Sequence, residues 1–158
     1  MPAPTDEQIK ELGPEISPFE RNPEGLRSII DGEGIVFTEH IYDATKNGKP
    51  PNLILVNPYE IENNPPYGRY LWVINKEGLW LILEATPNPE SKIRGCVCHT
   101  NITGGAKALH GGELWFGEDD TIYYNFKSGR YGHPTNDQAI AIFEYLKCVY
   151  KTIQPMSI

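Results

Sequence analysis

The stretch Arg69-Tyr70-Leu71-Trp72-Val73-Ile74-Asn75-Lys76-Glu77-Gly78-Leu79-Trp80-Leu81-Ile82-Leu83 decides the fold. Two aliphatic and aromatic runs flank Asn75-Lys76-Glu77-Gly78, a four-residue turn with glycine at its close, and together they read as a β-hairpin. Both arms are apolar at nearly every position instead of alternating apolar with polar. Strands of that kind need cover on both faces, so the hairpin belongs inside a layered domain. Glu84 ends the second arm. A charge buried in a strand is costly, so the chain is expected to emerge into solvent at Glu84, ahead of the turn-forming Thr86-Pro87-Asn88-Pro89.

Working outward, Ile35–Thr38 and Asn52–Val56 read as earlier strands, and Arg94–Asn101, Lys107–Phe116 and Thr121–Phe126 as later ones. Short consecutive strands with tight turns point to an antiparallel meander or partial barrel. At the amino end, Thr5 and Gln8 form a capping-box pattern for a short helix that Pro14 stops. Asn22-Pro23 signals a second, with Leu26, Ile29 and Ile30 on one face and Gly32 after it. Near the carboxyl end, Thr135 and Gln138 repeat the capping box. Ala139, Ile142, Phe143, Leu146, Val149, Tyr150 and Ile153 then make an apolar stripe at helical spacing, closed by Pro155. The expected architecture is α+β in a single domain over 1–158: a helical segment at 1–33, a curved antiparallel sheet at 34–131 and a covering helix at 134–153.

The bulk composition agrees with one folded domain. The chain has 158 residues, and 39% of them are apolar, enough for one core. A formal charge of −7 argues against nucleic acid or an anionic membrane as partner, since both call for a basic face. No apolar run approaches the length of a membrane span. The amino terminus lacks a basic segment followed by an apolar one, so no signal peptide is expected. Three cysteines, two of them at Cys96 and Cys98, fit a reduced, cytoplasmic setting.

Unusual residues concentrate between His99 and Tyr131. His99 is a candidate general base or a group that positions a ligand hydroxyl, and equally a histidine hydrogen-bonded inside the sheet. Glu113 lies between Gly111-Gly112 and Leu114-Trp115-Phe116. It is expected to serve acid–base work in an apolar setting or to pair with Arg130 or Arg94. Gly111 and Gly112, inside a strand, suggest a bulge or a ligand against the backbone. Gly104-Gly105 reads as a hairpin turn. Ser128-Gly129-Arg130-Tyr131 combines a turn, whose N–H groups suit an anion, with a planar guanidinium. Its structural alternative is a turn joining the last strand to the helix with Tyr131 packed underneath, the reading preferred for Tyr131 but not for Arg130. The candidate catalytic residues are therefore His99 and Glu113; the candidate ligand-binding residues are Thr100, Gly111, Gly112, Ser128, Arg130 and Tyr131. Cys96, Cys98, His99 and His110 are metal-ligand types, but Cys-x-Cys-His lacks zinc-site spacing and no metal is expected.

The ordered set His99-Thr100, Gly104-Gly105, Gly112-Glu113 and Ser128-Gly129-Arg130-Tyr131 resembles a domain of bacterial and fungal proteins. The same domain is found in the plant IQ-motif-containing calmodulin-binding family. That pattern is His-Ser, Gly-Gly, Ala-Gly-Glu or Ala-Gly-Arg, and Ser-Gly-His-Tyr, preceded by a hairpin and followed by a helix. The resemblance spans about residues 69–150 and implies a fold and a site, with no settled reaction. Thr100 stands where the pattern has Ser, Gly111 where it has Ala, and Arg130 where it has His, so a role for that histidine does not carry over. With no IQ motif or basic amphipathic helix in the sequence, calmodulin binding does not carry over either.

Two functional classes follow. The first is a domain for a small polar molecule, with a possible catalytic site of His99, Glu113 and Arg130 and, by analogy of residue types, NAD- or ADP-ribosyl-directed chemistry. The cofactor is left open. The second is a non-catalytic effector, inhibitor or immunity-type protein that binds a protein partner through Tyr59, Tyr67 and Tyr70 beside Glu60 and Glu62.

Overall fold

The structure is a computed structural model describing residues 3–20, 29–62 and 68–157. Its architecture is α+β. The elements run α1 (Asp6–Leu12), β1 (Tyr42–Asp43), α2 (Ala44–Asn47), β2 (Leu55–Val56), a 3-10 turn (Pro58–Glu60), β3 (Tyr70–Asn75) and β4 (Gly78–Leu83). They continue with α3 (Thr100–Thr103), β5 (His110–Gly117), β6 (Ile122–Tyr124), α4 (Asn136–Val149) and β7 (Ile153–Pro155). Among the described residues seven strands form one open sheet in the order β1-β4-β3-β5-β6-β7, with β2 paired to β5.

The hairpin forms as the sequence predicts, with Tyr70 opposite Leu83 and Asn75 opposite Gly78, so the loop itself is only Lys76-Glu77. Asn75 Oδ1 organises it by accepting from the backbone N–H of Glu77 at 2.9 Å, that of Gly78 at 3.1 Å and the indole N–H of Trp80 at 2.9 Å. Glycine is required at 78, because φ is 150° and an added Cβ would lie 1.9 Å from Thr45 Oγ1.

Both faces of the hairpin are covered. Trp72, Ile74, Leu79, Leu81, Leu114, Phe116, Ile122 and Tyr124 point to one face, where Leu12 of α1 and Ile142, Tyr145 and Leu146 of α4 pack on them. Leu71, Val73 and Ile82 point to the other, under Ile102 of α3 and Val97, Ala108 and Tyr131 from the irregular chain on either side of β5. Helices α1 and α4 thus close one face, and loops with the one-turn α3 close the other. A loop-covered face is where a concave site can form.

Several expectations are corrected. The sheet is not a simple meander: β5 pairs with β3, and β2–β5 and β6–β7 are parallel. It is nonetheless mostly antiparallel and open, in keeping with the expected α+β class. Ile35–Thr38 forms no strand, and of Asn52–Val56 only Leu55–Val56 does. Arg94–Asn101 is not a strand either. Asn101 Oδ1 accepts the Cys98 N–H at 2.8 Å, while Asn101 Nδ2 donates to the carbonyls of Gly32 and Ile35 at 2.8 Å each. One local and two long-range side-chain bonds thus stand where a ladder is expected, at the start of the one-turn helix α3. Gly104-Gly105 consequently ends a helix, at φ 69° and 85°, and joins no two strands.

The carboxyl-terminal helix carries both halves of its capping box at Thr135 and Gln138 but stops at Val149, before the expected Ile153. Tyr150 leaves the helix to bury its ring edge-on against Phe116 at 5.9 Å and to donate its hydroxyl to Gly48 O at 2.7 Å. Ile153 then serves in β7 beside β6. The capping box of α1, from Thr5 and Gln8, forms as expected. The second amino-terminal helix, expected from Asn22-Pro23 to Gly32, lies mostly on 21–28, outside the described residues, and Ile29 and Ile30, expected to belong to it, are not helical.

Candidate functional site

At the Arg69/Glu84 end of the hairpin, on the loop-covered face, lies a cavity of about 490 Å³ whose lining includes Glu33, Glu84, Arg94, Cys98, His99, Glu113, Lys127, Ser128 and Arg130. The register explains the first of these. Tyr70 opposite Leu83 places Arg69 opposite Glu84 just beyond the ladder, and Leu71 opposite Glu113 brings β5's carboxylate to the same face. Arg69 donates to Glu84 through Nε at 2.6 Å and also through Nη2, and its Nε lies 3.2 Å from Glu113 Oε2. One guanidinium thus serves two carboxylates.

Glu84 is therefore not the solvent-facing strand end expected from its sequence context. It is 8% exposed. Burial pushes its carboxyl above the ordinary value, and Arg69 acts against that shift through its hydrogen bond and its charge. Glu113 pairs with neither Arg130 nor Arg94. Its partners are Arg69 and Asn125, whose Nδ2 donates to Glu113 Oε1 at 3.0 Å and whose Oδ1 accepts from the Glu113 and Lys127 N–H groups at 3.0 Å each.

His99 stands immediately before α3 with its ring against β5. Nε2 is 2.7 Å from Gly112 O, and since a carbonyl only accepts, Nε2 carries the proton. Burial, reinforced by Arg94 and opposed by the Gly112 bond, pushes the imidazole down to about 4, so the ring is neutral near pH 7. A base that weak suits hydrogen-bond acceptance at Nδ1 better than proton abstraction.

Arg130, 6% exposed, holds Glu33 in a fork, with Nε to Oε1 at 2.8 Å and Nη2 to Oε2 at 2.7 Å. Its Cζ lies 5.3 Å from the Phe19 ring centroid. The hydrogen bond to Glu33 is the main cause that raises its pKa above the ordinary arginine value, so Arg130 is a permanent cation tying the amino-terminal segment to the 128–131 turn. In that turn the Ser128 hydroxyl accepts the Tyr131 N–H at 3.0 Å.

The structure therefore brings His99, Glu113, Ser128 and Arg130 to one cavity and places the other candidates elsewhere. Thr100 is fully buried and accepts the Gly34 N–H at 3.1 Å. Tyr131 packs in the core, donates to Ala106 O at 2.6 Å and is pushed up to about 12, mainly by burial. Gly111 and Gly112 form no bulge, since both continue the regular β3–β5 register. An added Cβ at Gly111 would lie 3.0 Å from Tyr131 Cβ and 3.3 Å from His99 Cδ2, and one at Gly112 would lie 2.1 Å from Asn125 O and 2.7 Å from the Trp72 ring. Close packing explains both glycines.

His110, a metal-ligand type, instead reaches Leu12 O at 2.5 Å through Nε2 at the end of α1. Among the described residues no group of three or more His, Cys, Asp or Glu is placed to hold a metal ion.

Sequence reasoning missed Glu33, Arg69, Glu84, Arg94, Lys127 and Asn125. The hairpin register was the available signal for Arg69 and Glu84, since it sets them opposite each other. The remaining four come from segments that only the tertiary fold brings together. No protein-family model, curated protein or solved structure matches the chain.

Proposed function

We propose that the chain binds a small polar molecule in this cavity, with His99 and Glu113 as the groups nearest any chemistry performed on it. The observation that carries this reading is the convergence of His99, Glu113, Ser128 and Arg130, which are far apart in sequence, on one open cavity. Its charged walls are held in place by the Arg69 and Arg130 ion pairs, and a preorganised polar site of that kind costs little to order when a ligand arrives. The resemblance to the His-Ser/Gly-Gly/Ala-Gly-Glu/Ser-Gly-His-Tyr domain belongs to the same proposal, as does an NAD- or ADP-ribosyl-directed reaction.

The test is native mass spectrometry of gently purified protein, before and after incubation with a panel of polar metabolites that includes NAD and ADP-ribose. The parent is expected to retain a small molecule that the His99→Gln/Glu113→Gln variant loses. A folded parent that retains nothing from the panel counts against the reading.

A second reading, a protein-binding module, is favoured by exposed Tyr59 (92%) near half-exposed Leu55 and Ile54. Tyr70 is buried in the core and so forms no part of such a patch; Tyr67 lies outside the described residues. No helix among the described residues is long and apolar enough to cross a membrane.

A further inference from the structure

The carboxylates of the cavity are already matched by cations, and further cations line it besides. Glu33, Glu84 and Glu113 are each engaged by a guanidinium, the first by Arg130 and the other two by Arg69. Arg94 and Lys127 also line the cavity, from exposed positions, and among the described residues neither is paired with a carboxylate. Arg94 spends one donor on Val97 O at 3.1 Å, which leaves most of its five-donor fork for something else. Among the described residues three cations and three carboxylates line the cavity, and Arg69, bonded to two of those carboxylates, brings the site to four cations against three, in a chain whose formal charge is −7. A local positive excess in an acidic protein attracts anions to that place.

His99 supplies a second, independent constraint. Its Nε2–Cδ2 edge faces β5, with Nε2 on Gly112 O and Cδ2 in the space beside Gly111. The opposite edge, Nδ1–Cε1, turns away from the sheet. His99 is 8% exposed, and Nδ1 has no hydrogen-bond partner among the described residues. With Nε2 protonated, Nδ1 can only accept. A naked anion placed against it would meet a lone pair, so a ligand satisfying both features needs a donor as well as a charge.

Resting on the binding reading above, we infer that the cavity takes a small organic oxyanion, a carboxylate or phosphate ester that also bears a hydroxyl or amide N–H. Arg94 and Lys127 bind the charged end, and His99 Nδ1 accepts from the donor. Arg130, committed to Glu33, acts as a wall and not as the anion's ligand. This relocates the anion-recognising groups from the Ser128–Tyr131 turn to two side chains at the rim.

The probes are glycerate, glycerol 3-phosphate, inorganic phosphate, neutral glycerol and cationic ethanolamine. Each is titrated into the full chain while the His99 Nδ1 nitrogen resonance is followed by NMR. Glycerate or glycerol 3-phosphate is expected to bind and to shift Nδ1 in the direction of an accepted hydrogen bond. Arg94→Ala and Lys127→Ala, both at exposed positions, are each expected to weaken that binding about tenfold, the loss of one charge-assisted contact.

Glycerol or ethanolamine binding as well as the anions would overturn the oxyanion inference while leaving the binding reading intact. Anion binding that leaves Nδ1 unmoved, that of inorganic phosphate with its own P–OH donor included, would overturn the role given to His99. Silence from every probe in a folded protein counts against both this inference and the reading beneath it; a neutral metabolite bound in the mass-spectrometry panel would then sink this inference alone.

Discussion

Replacing His99 with glutamine keeps a donor for Gly112 O and removes an imidazole whose protonation the fold opposes. The folded imidazole is pushed down to about 4 from an ordinary 6.5. For a base depressed by folding, the unfolded chain binds the proton first as pH falls. Its contribution to stability is therefore complete above pH 6.5 and is lost progressively toward pH 4. Integrating the two titrations from pH 7 to pH 5 yields a loss of about 2 kcal/mol from this residue alone. With a denaturant slope near 2 kcal/mol per molar, the urea midpoint moves down by about 1 M.

Glu84 works with the opposite sign, since burial raises its carboxyl and folding then favours its protonated form. The comparison must therefore be the difference between the parent and His99→Gln, in which Glu84 and the other carboxylates cancel. Urea unfolding at pH 7 and pH 5 is the assay. The parent is expected to lose about 2 kcal/mol more than the variant over that interval. Equal losses in the two proteins would refute a buried, neutral His99.

Removing Arg69 tests the shared ion pair. Arg69→Met leaves Glu84 and Glu113 without their cation in a largely buried site, which is expected to cost about 3 kcal/mol at pH 7. Adding Glu84→Gln and Glu113→Gln to that variant is expected to restore much of the loss, and a cost below about 0.5 kcal/mol, the range of ordinary surface changes, would show that the pair is solvated. Gly112→Ala tests the packing account of the glycine pair. The added methyl meets backbone at Asn125 O and the Trp72 ring, so thermal unfolding is expected to show a loss of about 3 kcal/mol, the upper end for overpacking. A neutral outcome would mean that β5 can move away from β6.

Local pattern was enough for some of this molecule. The hairpin from Tyr70 to Leu83 was legible because its aliphatic arms, glycine-closed turn and two-sided apolarity depend only on neighbouring residues and on the need for cover. The capping boxes at Thr5 and Thr135 were legible for the same reason. The candidate stretch between His99 and Tyr131 stood out by residue type, and four of its members do meet at one cavity.

Tertiary structure alone decided the rest. Arg94–Asn101 has the composition of a strand, yet the Asn101 side chain found carbonyls at Gly32 and Ile35, more than 60 residues away, and folded the segment into a turn. Tyr150 and Ile153 continue a helical stripe in sequence, but a place for them on the sheet ended the helix at Val149. The partners of Glu113 and Arg130 were beyond local reading for the same physical reason. A charge is matched by whichever opposite charge the fold brings within a few ångströms, and Arg69 and Glu33 arrive there through strand register and chain return. Sequence alone determined which residue types could make a site; register and loop packing determined which of them share it, and which charges there are left for a ligand.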